Sequence, residues 1–192
     1  MAQSSMRTKR WTRAEYERLV DLGAFGPADR LELLAGNLVV CEPPGTPHMT
    51  AIRAAEEMLR RSFGPGWEVR TQAPVALDDE SEPEPDVVVA PGSFRDYRHA
   101  HPSRPVLLVE VADASLASDR EHKGSLYARA GVREYWIVNL VDDALEVYRD
   151  PAPDGGAVHG SRYRSATTLR AGQEVSPLAA PGTRIPVADL LP

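Results

Sequence analysis

The chain has 192 residues, 42% hydrophobic and 26% charged, which suits one ordinary domain with a buried core and excludes a disordered chain or a fibre. The net charge is −6, and residues 62–96 alone hold two basic against eight acidic groups; this excludes broad nonspecific coating of nucleic acid but leaves room for a local basic surface. There is no apolar run of membrane-spanning length, no apolar signal region, and a single cysteine, Cys41, so a cytoplasmic protein without membrane contact, disulfide or cysteine metal cluster is expected.

Residues 1–10 form a polar arm with Arg7, Lys9 and Arg10, expected to be flexible, ahead of a single domain over 11–192. Thr12 and Glu15 have capping-box spacing and Gly23 supplies a stop, which predicts a helix over 13–22. The apolar runs on either side of "AGN" (35–37) predict a β-hairpin. Beyond a proline loop, Met49, Ile52, Ala55, Met58 and Leu59 recur at helical spacing up to "GPG". "WEVRTQAPVAL" reads as a strand. The acidic, proline-containing stretch over 78–84 reads as a solvated loop, and "VVVAP" leaves it as a buried strand.

"VLLVEVAD" reads as a second buried strand. A helix follows, with Ser118 and Glu121 as its capping box and Gly131 at its end. "EYWIVNL" and "ALEVY" form another hairpin around an acidic turn; residues 151–160 read as a Pro/Gly-rich loop, and the tail as short strands with a final turn. The expected fold class is α/β (α+β): a mixed, curved sheet flanked by helices.

Two carboxylates mark the buried strands. Asp86 stands where the acidic loop enters "VVV", and Glu110 stands inside "LLVEV". An isolated buried charge is very costly, so each needs a partner. An ion pair, for instance of Glu110 with an arginine, is one solution. A shared divalent cation is another, because hard cations take oxygen ligands, waters and substrate phosphate. Downstream, Asp119, Lys123 and Tyr127 fall at i, i+4 and i+8, one face of a helix. An ordinary Asp119–Lys123 surface pair accounts for part of this pattern. Against that stands the composition: Lys9 and Lys123 are the only lysines among 22 basic residues, and lysine, unlike arginine, can lose its proton when buried.

Taken together, "EPDVVVAP" and "RPVLLVEVADASLASDREHKGSLYARAGVREYWIVNLVDDALEVY" resemble the Uma-two family of bacterial endonucleases, in the PD-(D/E)XK, restriction-endonuclease-like superfamily. "RLELLAGNLVVCEPPGTPH" resembles the family's N-terminal hairpin and histidine, so the likeness spans about residues 28–150. The resemblance implies a restriction-endonuclease-like sheet with an N-terminal β-hairpin and a C-terminal β extension. It implies Asp86 and Glu110 as the two acids, and Lys123 in place of the usual lysine two residues after the second acid, where Ala112 stands. Glu32 and His48 match the early glutamate and the histidine. "DASL" (113–116) departs from the family's Ser-Pro-Ser-Thr-like stretch, and "AGN" from its Asp-Gly-Glu turn.

The mechanism expected from this match has Asp86, Glu110 and the Val111 carbonyl holding magnesium or manganese. Lys123 then orients water or neutralises charge on the phosphate, positioned by Asp119 and Tyr127. Glu32 serves through water or a second ion, and His48 is auxiliary or a simple helix cap. His99, His101 and His122 lack zinc-ligand spacing. DNA phosphates would meet Arg53, Arg60 and Arg61, or Arg7, Arg10 and Arg13, all otherwise ordinary surface charge. A DNA-cleaving homodimer is expected. The alternatives are a catalytically weak or inactive nuclease-fold interaction module, and a metal-dependent hydrolase of RNA or a phosphate ester.

Overall fold

A computed structural model describes residues 8–26 and 29–192; Arg7 and most of the expected arm lie outside the described residues. Helix α1 (Arg13–Asp21) opens with the capping box, Thr12 and Glu15 each capping the other's backbone N–H. β1 (Leu31–Leu34) and β2 (Asn37–Val40) form the hairpin, its tight turn made by Ala35 and Gly36 at φ 46° and 79°. Two successive positive φ values match the twist of paired strands.

Helix α2 (Thr46–Phe63) buries Ala51, Ile52, Ala55, Leu59 and Phe63, a helical stripe ended by Gly64 at φ 67°. β3 (Trp67–Thr71), β4 (Val87–Pro91) and β5 (Leu107–Ala112) follow. The crossover from β5 is α3 (Leu116–Ser118), a π-turn (Asp119–Lys123) and α4 (Gly124–Arg129). It returns to β6 (Glu134–Asn139), which lies parallel beside β5. Such a connection is required between parallel neighbours.

β7 (Ala144–Pro153) and β8 (Ser161–Arg170) complete a six-stranded sheet in the order β3-β4-β5-β6-β7-β8. Apart from β5–β6, its neighbours are antiparallel. β9 (Glu174–Val175), β10 (Ile185–Pro186) and a 3₁₀ turn (Val187–Leu190) close the chain. The expected mixed sheet with flanking helices, N-terminal hairpin and C-terminal extension is therefore present.

Alternation along the strands splits the core in two. Val87, Val89, Val109, Val111 and Trp136 pack against α2 and the C-terminal turn. Val88, Ala90, Leu108, Tyr135 and Ile137 face the other way, onto Leu126 and Tyr127 of α4. Asp86 and Glu110 continue this second set, because side chains alternate along a strand.

Three sequence expectations are corrected. The acidic loop is not solvated: Ser81, Glu82 and Pro83 are buried. Its backbone pairs with the hairpin (Glu82 N–H to Leu33 O, 2.7 Å; Gly36 N–H to Glu80 O, 2.7 Å), and Arg10 and Arg129 neutralise Glu80 and Asp78. Ser118 and Glu121 make no capping box, because helical structure has already begun at Leu116. Finally, the stretch read as a loop over 151–160 begins as strand, with Pro151 paired to Tyr163. β6 begins opposite Arg149, so one side of β7 is free beyond it and a proline without an N–H is tolerated.

Candidate active site

The registers bring the two acids together. Val87 lies opposite Val109 on the adjacent antiparallel strand, so one step further sets Asp86 opposite Glu110. Both are buried at the floor of a cleft of about 340 Å³. The hairpin contributes Glu32, the start of α2 His48, and the β5–α4 crossover Asp113, Ser115, Asp119 and Lys123.

Each acid is held by one oxygen. Asp86 Oδ2 accepts from the Val111 N–H at 2.8 Å and lies 3.1 Å from His48 Nε2. Glu110 Oε1 accepts from Tyr127 OH at 2.5 Å and from Lys123 Nζ at 3.0 Å. Lys123 also donates to Glu32 Oε1 at 3.3 Å. The other oxygens, Asp86 Oδ1 and Glu110 Oε2, have no hydrogen-bond donor among the described residues, and Glu32 Oε2 is buried without a partner.

The π-turn is what aims Lys123. It adds one residue to the helical repeat, with the Asp119 carbonyl accepting from Gly124 N–H and from Tyr135 OH at 3.2 Å. Such bulges recur at functional sites because they redirect side chains. The simple Asp119–Lys123 surface pair is therefore absent. Asp119 accepts instead from Ser115 Oγ at 2.6 Å, and Lys123 turns inward to Glu110 and Glu32. The cation beside Glu110 is thus a lysine rather than an arginine.

Burial pushes Glu110 well above the ordinary carboxylate range; Lys123 opposes this, while Asp119, Asp86 and Glu32 add to it. Burial would lower Lys123, but Glu110, Glu32 and Asp119 outweigh it and hold the ammonium charged. Burial likewise raises Asp119 and Glu84. For His48, burial works downward and the bond to Asp86 upward; the upward effect prevails.

Glu32, Glu42, Glu84, Asp86, Glu110, Asp113 and Asp119 line the cleft against Arg30, Lys123 and His48. This excess of carboxylates, with free oxygens on Asp86, Glu110 and Glu32, fits a hard divalent cation. Among the described residues no three His, Cys, Asp or Glu side chains are already drawn together as a ligand set. Magnesium does not require one, since it keeps several waters and takes one or two carboxylates.

The family model Uma2, described as "Putative restriction endonuclease", matches residues 13–188. The chain belongs to the Uma2 family. No curated protein matches it. It is similar in fold to the crystal structure of "a putative nuclease belonging to DUF820 from Anabaena variabilis ATCC 29413", with TM-score 0.68 and 12% identity over 94% of this chain and 97% of that one.

In this Uma2 chain the structure gathers Asp86, Glu110, Val111, Lys123, Glu32, His48 and Asp119 around one cleft, with Tyr127 behind Glu110. Tyr127 meets Lys123 only through the shared Glu110 Oε1, to which both donate. The arginines stand elsewhere. Arg53 pairs with Glu56, Arg61 with Glu57, and Arg60 with Glu56 and the Val69 carbonyl. Arg60 and Arg61 lie about 18–20 Å along α2 from His48 at 1.5 Å per residue. Arg10 and Arg13 pair with Glu80 and Glu17.

Sequence reasoning missed Arg30, Gln72, Glu84 and Ser115, all of which line the cleft. Glu84 and Ser115 stand two and five residues from Asp86 and Glu110 in the chain, which was the available signal. Arg30 and Gln72 had none. No helix among the described residues is long and apolar enough to cross a membrane.

Proposed function

We propose that this protein is a metal-dependent endonuclease that hydrolyses phosphodiester bonds in DNA. The observation that carries the reading is the alignment of Asp86 and Glu110 on adjacent strands, with Lys123 Nζ 3.0 Å from Glu110 Oε1 at the floor of a solvent-open cleft. Asp86, Glu110 and the Val111 carbonyl would hold magnesium or manganese. When bound, the ion supplies Lewis-acid polarisation of the phosphate and lowers the pKa of a coordinated water.

The chain's own groups do the rest. His48 and the Val111 N–H fix Asp86 by Oδ2, and Tyr127 fixes Glu110 by Oε1, which leaves Oδ1 and Oε2 for the cleft. Lys123 places a permanent positive charge where the phosphorane gains negative charge, the type of contact that is strongest in a water-poor site. The attacking water oxygen bonds to phosphorus, the phosphorus–oxygen bond to the leaving sugar breaks, and the sugar oxygen takes up a proton.

Nicking of supercoiled plasmid tests the reading. Cleavage is expected with magnesium or manganese, none with chelator, and none for Asp86→Asn or Glu110→Gln. Manganese calorimetry on the same variants separates lost metal binding from lost chemistry. Wild-type protein that binds the ion and leaves DNA, RNA and phosphate esters intact would convert this assignment to the non-catalytic module.

A further inference from the structure

The floor of the cleft extends beyond the two acids onto β3. Thr71 pairs with Val87, and the next residue, Gln72, donates its backbone N–H to the Asp86 carbonyl at 3.1 Å. Extending the β3–β4 and β4–β5 registers by one residue therefore sets Gln72, Asp86 and Glu110 in a single row across three strands. All three line the cleft.

Gln72 holds φ 45°, a left-handed conformation that glycine adopts freely and other residues adopt at a cost. The other described non-glycine residues at positive φ are Ala35, Asp143 and Asp150; none of them lines the cleft. Strain of this kind persists only where the surrounding structure over-determines it, and it clusters at active sites and ligand clamps. The Gln72 amide makes no side-chain hydrogen bond to protein among the described residues, so its donors and its acceptor are available to a ligand. It is also the one side-chain amide in the cleft, where the charged and basic lining groups are seven carboxylates, Arg30, His48 and Lys123. An amide N–H₂ can donate to a phosphoryl oxygen without drawing the neighbouring carboxylates into an ion pair.

We infer that Gln72 is a substrate contact whose side-chain amide donates to a non-bridging oxygen of the phosphodiester, at the end of the row away from Lys123. The inference rests on the phosphodiesterase reading and names a residue that fixes how the strand lies over Asp86 and Glu110.

Three variants of the full chain test it: Gln72→Gly, Gln72→Ala and Gln72→Asn, with melting temperature, kcat and KM on a labelled oligonucleotide in magnesium. Gln72→Gly relieves the backbone and should melt no lower than wild type, and about 2–4 °C above Gln72→Ala. Both should lose about 10–100-fold in kcat/KM, the worth of one hydrogen bond to a charged group. Gln72→Asn, which tolerates the left-handed backbone and keeps an amide, should recover part of the loss. Gly and Ala variants cleaving within twofold of wild type would remove Gln72 from the substrate. A Gly variant melting several degrees below wild type would make its role structural. Wild type that cleaves no phosphodiester overturns the underlying activity, and the contact with it, whereas active wild type with unaffected variants overturns the contact alone.

Discussion

Lys123 Nζ stands 3.0 Å from Glu110 Oε1, joining the crossover helix to the centre of a fully buried strand. That contact, together with the Tyr127 hydroxyl on the same oxygen, explains how a carboxylate survives inside "LLVEV", and it sets the terms for testing the site.

Lys123→Met should expose the cost of the unpaired acids. Removing one partner of a buried pair costs about 3–5 kcal/mol, so the urea midpoint should fall markedly at pH 8. The loss should shrink near pH 5, where Glu110, already raised by burial, takes up a proton instead. Lys123→Arg keeps the charge and most of the stability. Its planar fork cannot occupy the same point between Glu110 and Glu32, and DNA cleavage should fall by about 100–1,000-fold. Wild-type cleavage by the arginine variant would reduce Lys123 to a counterion.

Tyr127→Phe removes a single donor from Glu110 while preserving the buried ring. A hydrogen bond to a charged group is worth about 1.5–3 kcal/mol, so the melting temperature should drop by several degrees. Manganese affinity should also weaken, because Glu110 loses the bond that fixes its orientation. Unchanged affinity measured by calorimetry would show that Lys123 alone orients the carboxylate.

His48 should titrate above its ordinary 6.5: burial lowers it, but the bond and charge of Asp86, with the charges of Asp113 and Asp119, together prevail. A raised folded value means that the charged pair's contribution to stability is complete below 6.5. It is lost as pH climbs through the folded value. NMR titration of the His48 ring checks this; Asp86→Asn should bring the midpoint down. An identical midpoint in that variant would detach His48 from Asp86.

Glu82 shifts stability in the same direction as pH rises, although it is an acid. Burial, and then the neighbouring Glu17 carboxylate, push it up to about 7. Below 4.5 it is protonated both folded and unfolded and contributes nothing. Between 4.5 and about 7 the folded state retains a proton that the unfolded chain has released, so stability declines as pH rises. Glu82→Gln supplies a permanent donor toward Glu17. It should be silent at pH 4 and stabilising at pH 8; urea midpoints that respond equally at both values would contradict the assignment.

The features legible in the sequence are those fixed by neighbours in the chain. The Thr12–Glu15 cap, the turn at Gly36, the apolar stripe of α2 and the buried runs of β4 to β6 follow from local sterics, backbone hydrogen bonding and the periods of helix and strand. Asp86 and Glu110 stood out because a charge beside or within an apolar strand demands a partner. The partners themselves depended on contacts between residues far apart in the chain. Glu32 meets Lys123 across 91 positions, and Gln72 joins the row only through the β3–β4 register. The acidic loop reads as solvated by composition, yet docks in the fold because backbone pairing to Leu33 and Gly36 and the charges of Arg10 and Arg129 offset its desolvation. The π-turn that swings Lys123 inward leaves no local signature, since its geometry is settled by Tyr135 reaching the Asp119 carbonyl and by the charge of Glu110 beneath it. Burial converts these long-range pairings from optional to obligatory: an ion that water would solvate must, inside the sheet, find its counterpart wherever the tertiary fold brings one.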